Sequence, residues 1–468
     1  MKAQHLIPAI LLATVITISV LSGKPESPAS NASSPLLPEQ NEITPAKNLS
    51  AVSGIIPVKM DPAISNKSTT PEKCVFKTAF EGEGLEKGFY YKIPGKVVAS
   101  IDKGLGWLES AQNRDGGWGA GSHRRQQERD PHAVQSDPAT TAMVAMALQR
   151  SGTTLQNGPY SKNLRDALEF LLEQVETSPE NSSNITSLTY TQPQSKLGQN
   201  IDVVLTSQFL TNIISDLDHD PQLKQRVRKS VRKCIAKIED SQQSDGSQKG
   251  SGWAGVLQSS FATSALESAK NEGFYVDEEV MEKSKDFQKN NINVETNSVA
   301  TESAAGVVLY SVSGSTRATA KETAEAKEKI KQAHKEGKIK TEEVTVDNLK
   351  KAGLSDNQAM KYSTAYNINK SAKKLAQDDN VLTGFGNDGG EEFLSFLQTG
   401  EGMIMSNDND WQKWYDKTSG RLLGIQNSDG SWHGHHCITS PVFCTATCLL
   451  ILSVNNDIDK LTMGNHSK

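Results

Sequence analysis

The run Gly424 to Cys437, GIQNSDGSWHGHHC, ends in two histidines and a cysteine. Imidazole nitrogen and thiolate sulfur are the donors that zinc prefers, so His435, His436 and Cys437 are the candidate metal ligands and zinc the cofactor they would take. Adjacent side chains diverge, however, and the spacing lacks the paired pattern of a built metal site. The alternative is a loop in which they pack beside Trp432 while Cys437 pairs with Cys444 or Cys74. A second group is acidic. Glu391 and Glu392 follow two glycines in NDGGEEFLSFL at the predicted start of an apolar helix. There they serve as acids or ligands, or else one caps the helix while the other is solvated. His123 to Arg129, HRRQQER, is a short basic loop. Solvation is its ordinary state, and orienting an anionic ligand the sharper reading.

The rest of the chain bounds what such groups can do. With 468 residues, 36% hydrophobic, 22% charged and a net charge of −5, it has room for a large core but no basic face for nucleic acid. Lys2 followed by the apolar run Leu6 to Leu21 and Ser22-Gly23 has the layout of a secretory signal peptide, so residues 1–23 predict export to a periplasm, cell envelope or medium. Retention of that segment as an anchor is the alternative, and no other stretch is apolar enough to span a bilayer. Residues 24–73, rich in Pro, Ser and Asn, predict a disordered tether. Five cysteines in an oxidising compartment leave at least one without an intrachain partner.

The elements that must position these groups repeat. GLGWLESAQNRDGGWG (Gly104 to Gly119) and TSGRLLGIQNSDGSWHG (Thr418 to Gly434) share an apolar helical pattern, then Gln, Asn, Asp-Gly and Trp at one spacing. A third copy, IEDSQQSDGSQKGSGW, places Trp253 ten residues after Gln243, as if four residues were inserted. Each turn leads to a helix apolar on nearly every face (AMVAMAL, AAGVVLY, ATCLLIL), predicted to start at Asp137, Asp202 and Asn297, with a Thr four residues on. Amphipathic helices such as DALEFLLEQVE alternate with them. Outer amphipathic and inner apolar helices in pairs predict an all-α array, with residues 74–468 as the folded part. A Lys/Glu/Ala-rich insertion near 315–350 would lie outside the array, and residues 361–376 form a helix of unassigned place.

Q-N-x-D-G-x-W closing an outer helix and D-x-x-x-T-A opening an inner one resembles the α/α-toroid repeats of squalene–hopene cyclases and protein prenyltransferase β-subunits. The likeness spans roughly residues 97 to 454, and the last two repeats look like those of exported bacterial toroid proteins with no assigned reaction. The resemblance implies a barrel of inner and outer helices around a central cavity. Asp137, Asp202, Glu302, His435 and His436 would face its mouth, and positive helix ends would lower the pKa of Cys437 or Cys444. It does not carry the chemistry across. The cyclase acid motif D-x-D-D-T-A falls on Asp137 with Ala139 and Thr140, and on Asp202 with Val204 and Leu205. The prenyltransferase zinc ligands fall on Gln258, Ser260 and Cys444. A thioester motif is absent.

The reading is thus an exported all-α toroid protein binding a small apolar or peptide-like ligand in its central cavity. The alternative is a divergent terpenoid cyclase or transferase with an acid or metal centre among Glu391, Glu392, Cys444, His435, His436 and Cys437. A cell-surface scaffold acting through the outer helices is the third.

Overall fold

Apolar residues at helical spacing dominate the chain, and the computed structural model is predominantly helical, as the periodicity predicts. It describes residues 93–456 apart from 251, 387 and 407, all within the unit Ser68–Lys468. The signal segment, the tether and Cys74 lie outside the described residues. The chain begins with α1 (Gly95–Ser110) and α2 (Pro138–Arg150), then α3 (Ser161–Thr177), a short α4 (Gln192–Lys196) and α5 (Ile201–Ile213). Next come α6 (Pro221–Asp240), α7 (Gly255–Asn271), α8 (Glu278–Lys289) and α9 (Val308–Ala318). Between α8 and α9, β1 (Ile292–Asn293) pairs antiparallel with β2 (Ser298–Val299). The charged stretch forms α10 (Ala320–Lys335), α11 (Val346–Lys351) and α12 (Asp356–Ala376). A one-turn α13 (Asp379–Leu382) precedes α14 (Gly390–Met405), α15 (Trp411–Ile425) and α16 (Pro441–Leu452).

Two kinds of helix alternate. In α3, Leu164, Leu168, Leu171 and Val175 are buried while its charged residues face out, the stripe of an outer helix. In α5, α14 and α16 every residue is buried. The helices α2, α5, α7, α9, α14 and α16 pack each on the next, α16 packs back on α2, and α7 also reaches α14. Around them α3 covers α2, α6 covers α5, α8 covers α7, α15 covers α14 and α1 covers α16. Burying each Leu or Phe of the inner set contributes about 1.5–3 kcal/mol.

An enclosed hollow wide enough for water registers as accessible surface on the side chains that face it. The inner helices carry almost none. The central cavity expected for an apolar or peptide-like ligand would run along the described inner helices, where nearly every side chain is buried. Small residues let them close in: a Cβ on Gly402 of α14 would lie 3.1 Å from the Thr316 backbone of α9.

The repeat turns hold these layers together. Trp118 and Trp432 are fully buried, and their indole N–H groups donate to the Leu108 and Leu422 carbonyls, each at 2.8 Å. Their backbone N–H groups donate to Thr141 and Thr445 of the inner helices at 2.9 and 2.8 Å. In the third copy the corresponding residue is Gln248, not Trp253. Its backbone N–H donates to Ser259 at 3.1 Å, and Asp245, Gly246 and Ser247 repeat the turn without any insertion. Gly116, Gly246 and Gly430 share a left-handed φ near +90° that a side chain would strain.

Three predicted boundaries shift. The N-cap of α5 is Asn200, with Asp202 inside the first turn. The inner helix predicted from Asn297 starts at Val308, because Val299 pairs with Ile292 and Ala305 turns left-handed at φ +53°. That helix runs on to Ala318, so residues 315–318 belong to the buried interior. Beyond them Ile330, Leu349, Leu354 and Ala359 of α10 to α12 form an apolar cluster of their own, and α12 packs on α9.

Candidate functional site

Most of the chemically capable residues gather where the inner helices begin. Glu391 and Glu392 lie in the first turn of α14, both fully buried, with Gly389 as the N-cap. Glu391 Oε2 accepts the Ile438 N–H at 3.1 Å. Glu392 Oε1 accepts the Tyr310 hydroxyl at 2.6 Å and the Phe385 N–H at 3.0 Å, while its Oε2 has no hydrogen-bond partner. Neither residue is the solvated member of a capping pair, as the glycine-rich turn had suggested. Burial, then the neighbouring Glu392, pushes the Glu391 carboxyl up to about 8, so it is mostly protonated at neutral pH. Tyr310, shifted upward by burial and by Glu392, stays a donor.

The Cys437 thiol is half-buried and hydrogen-bonded to Glu391, on a backbone held at φ +62°. Burial, then Glu391, pushes it up to about 12. Cys444, fully buried with its Sγ 3.4 Å from the Ile438 carbonyl, is shifted upward for the same reasons. The expectation that helix ends would lower these thiols is overturned: loss of hydration and nearby carboxyls outweigh the field of a helix terminus. Cys234, Cys437, Cys444 and Cys448 are all free thiols, so Cys437 and Cys444 are not joined.

The histidines separate. His435 is exposed, its N–H donating to the Asp388 carbonyl at 3.0 Å. His436 is half-buried and meets Phe385 edge-on, ring centroids 5.3 Å apart. Among the described residues no three His, Cys, Asp or Glu side chains converge on a point that could hold a metal ion. His435, His436 and Cys437 therefore do not assemble the zinc site that their adjacency suggested: His435 is exposed, the His436 ring meets Phe385 and the Cys437 thiol meets Glu391.

A second carboxyl pair lies at the starts of α2 and α5. Asp137 caps α2, accepting the Thr140 N–H and hydroxyl and the Ala120 N–H at 2.8 to 2.9 Å. Asp202 accepts the Ile185 N–H at 2.9 Å, and its other oxygen is unpartnered. Burial first, opposed by backbone bonds and joined by the nearby Asp137 charge, pushes Asp202 up to about 7. Glu302, by contrast, is exposed in a short turn before α9 and takes no part in either cluster.

Loops close over these helix ends. Gln126 donates to the Cys437 carbonyl at 2.6 Å, and Gln192 accepts the Thr439 and Ser440 N–H groups at 2.7 and 3.0 Å. The basic loop is part of this cover. Its Arg129 reaches the Gln126 and Thr439 carbonyls, Arg125 pairs with Glu128, and Arg124 lies over the Tyr190 ring. Tyr310, Gln126 and Gln192 were not singled out by residue type or spacing. Of these only Tyr310 left a signal, as a phenol beside Val308, Leu309 and Val312 on an inner helix. Beside this cover, residues 184–199 border clefts of about 250 Å³ on either side, and the second of these continues into a third of about 290 Å³.

No protein-family model matches the chain, and no curated protein matches it in sequence. Among solved structures it is similar to the type II terpene cyclase MstE from Scytonema in its apo form, at 12% identity and a TM-score of 0.31, over 77% of this chain and 99% of that one. A variant of that enzyme in complex with merosterolic acid A gives 14% identity and a TM-score of 0.30, over 77% and 97%. At such scores the likeness carries no argument about this chain.

Proposed function

We propose that this chain is an exported α/α-toroid repeat protein that binds its ligand at the loop-built rim over the inner-helix N-termini. The order in which the inner helices touch, with α16 meeting α2, supports the toroid. The charged start and apolar run of residues 1–23 support export. One observation carries the binding reading: the inner helices keep almost no accessible surface, whereas residues 184–199 border clefts on both sides. The ligand surface thus moves from the ring axis to its rim. Hydrogen exchange on the full chain tests this, with a soluble envelope polysaccharide extract or a random peptide pool as probe. Protection confined to residues 121–135 and 184–199 supports the rim, and protection along α5, α7 or α14 overturns it.

Glu391 favours a second reading, an acid centre of a divergent terpenoid cyclase or transferase. A buried carboxyl that keeps its proton at neutral pH can act as a general acid, and the half-buried Cys437 lies beside it. Incubation with squalene or farnesyl diphosphate and product analysis tests it. A product made by the native chain and lost in Glu391→Gln establishes the acid role. Equal traces from both remove it.

A further inference from the structure

The geometry points to an oligosaccharide as the ligand of the rim, an inference that rests on the rim-binding reading and names its ligand class. The middle cleft is bordered by Asn184, Thr189, Tyr190, Gln194, Ser195 and Gln199, with glycine backbone completing it and no charged side chain. Amides and hydroxyls both donate and accept, which matches sugar hydroxyls that do the same. An ionic ligand finds no counter-charge in this middle cleft, the charges lying in its neighbours, Arg125 with Glu128 on one side and Glu180, Lys237, Asp240 and Lys249 on the other. An apolar ligand would strip the amides and hydroxyls of water without return.

The cleft also adjoins two others. It shares Thr189 with the cleft on one side, and Gln199 and Gly250 with the cleft on the other. Three adjoining clefts suit a ligand built as a chain of units.

Aromatic rings stand beside this path. Tyr190 and Trp253 are each 63% exposed, unlike the buried tryptophans of the repeat turns. Each is backed by a cation, Arg124 over Tyr190 at 5.7 Å and Lys196 over Trp253 at 4.1 Å, which fixes one face and leaves the other to solvent. Tyr190 holds φ +61°, a conformation that costs a non-glycine residue energy, while its carbonyl accepts the His123 N–H at 2.9 Å. An aromatic ring held flat and open is a stacking platform for the C–H face of a pyranose.

An extended peptide is the competing chain. It would bind by adding backbone hydrogen bonds to a free edge. Along this segment those edges are occupied: Gln192 N–H bonds the Gly121 carbonyl, Gln199 N–H the Gly250 carbonyl, and Gly252 N–H the Leu197 carbonyl. Side chains are left to do the recognising, which favours sugar.

Titration of the full chain with soluble hexasaccharides of glucose, xylose, mannose and N-acetylglucosamine, followed by calorimetry, tests the inference. At least one binds saturably, and Trp253→Ala and Tyr190→Ala each weaken it by about ten-fold or more. Both side chains are exposed, so both variants fold. Tyr275→Ala, an exposed aromatic elsewhere, leaves the affinity unchanged. Binding indifferent to Trp253→Ala and Tyr190→Ala overturns the inference. Rim protection by the peptide pool with no binding of any hexasaccharide also overturns it, while leaving rim binding itself intact.

Discussion

Gln426 stands to Ser100 as Gln112 stands to Asn163. In each case the glutamine amide spans its own turn, to Gly430 or Gly116, and also donates at 3.0 Å to a carbonyl of another outer helix. For Gln112 that helix is α3, the next in the chain; for Gln426 it is α1, 326 residues back. The Ser100 hydroxyl returns the bond to Gln426 Oε1 at 2.7 Å. The last turn therefore treats the first helix as its successor.

Gln426→Ala removes that join and leaves part-buried carbonyls unpaired, so it lowers stability by about 1–3 kcal/mol. Gln112→Ala costs a similar amount. Urea unfolding of the two variants checks this, and a neutral Gln426→Ala would show that the ends are held by packing alone.

Trp118→Phe and Trp432→Phe keep a buried ring but remove the indole donors to the Leu108 and Leu422 carbonyls. Each is expected to cost about 1–3 kcal/mol, read from denaturation midpoints. Trp253→Phe, exposed and outside the turn register, stays within about 0.5 kcal/mol of the parent.

Arg150 is buried, and it joins three inner helices by pairing with Glu401 of α14 at 2.7 Å and donating to the Leu450 carbonyl of α16 at 3.0 Å. Glu401→Gln leaves a buried guanidinium short of its countercharge and costs about 3–5 kcal/mol. The double change Arg150→Met with Glu401→Leu recovers much of that loss. A thermal unfolding series on the three proteins distinguishes paired charge from mere volume.

Stability should fall as pH rises through neutrality. Glu391 and Asp202 have folded-state values of about 8 and about 7, above their ordinary 4.5 and 3.8. The native state therefore binds more protons than the unfolded state in that interval. Their contribution is full below the ordinary carboxyl range and is lost toward pH 7 to 8, at up to about 1.4 kcal/mol per pH unit for each group. Glu267 acts in the opposite sense. Burial raises it, Lys285 and Arg317 more than offset that, and the stability it gives is lost as pH falls below the ordinary carboxyl value. Denaturant titrations between about pH 5 and 8 show the slope. Glu391→Gln flattens it and is more stable than the parent at the alkaline end, and an unchanged slope refutes the assignment.

Cys437 is half-buried, yet its thiol is shifted to about 12. Iodoacetamide at neutral pH therefore modifies it far more slowly than a free cysteine, by about a hundred-fold or more in thiolate population. Mass spectrometry of the labelled chain gives the rate. Rapid labelling would mean that the thiol is activated after all.

Helical pairing was legible in the sequence because period and turn chemistry agree: Gln112 to Trp118 and Gln426 to Trp432 announce themselves. Gln248 hid because its side chain differs while the backbone role persists, and Trp253 drew the eye as the nearer ring. The start of α9 was misread for a related reason. A polar Asn297 looks like a cap until the β1–β2 pair claims its neighbours. The acid cluster was legible by residue type at Glu391 and Glu392, but not its burial or its partner Tyr310, since both depend on residues about eighty positions apart. The burial of the polar residues on the inner helices left no sequence signal. Small and polar residues on an inner helix read alike whether they line a hollow or close it.

The face of α1 formed by Val97, Ile101, Leu105 and Leu108 is buried, and α1 packs on α16, the last helix described. A ribosome adding about 5–20 residues per second delivers the two halves of that contact tens of seconds apart. Through that interval the apolar face of the opening helix waits for the partner that covers it in the finished fold.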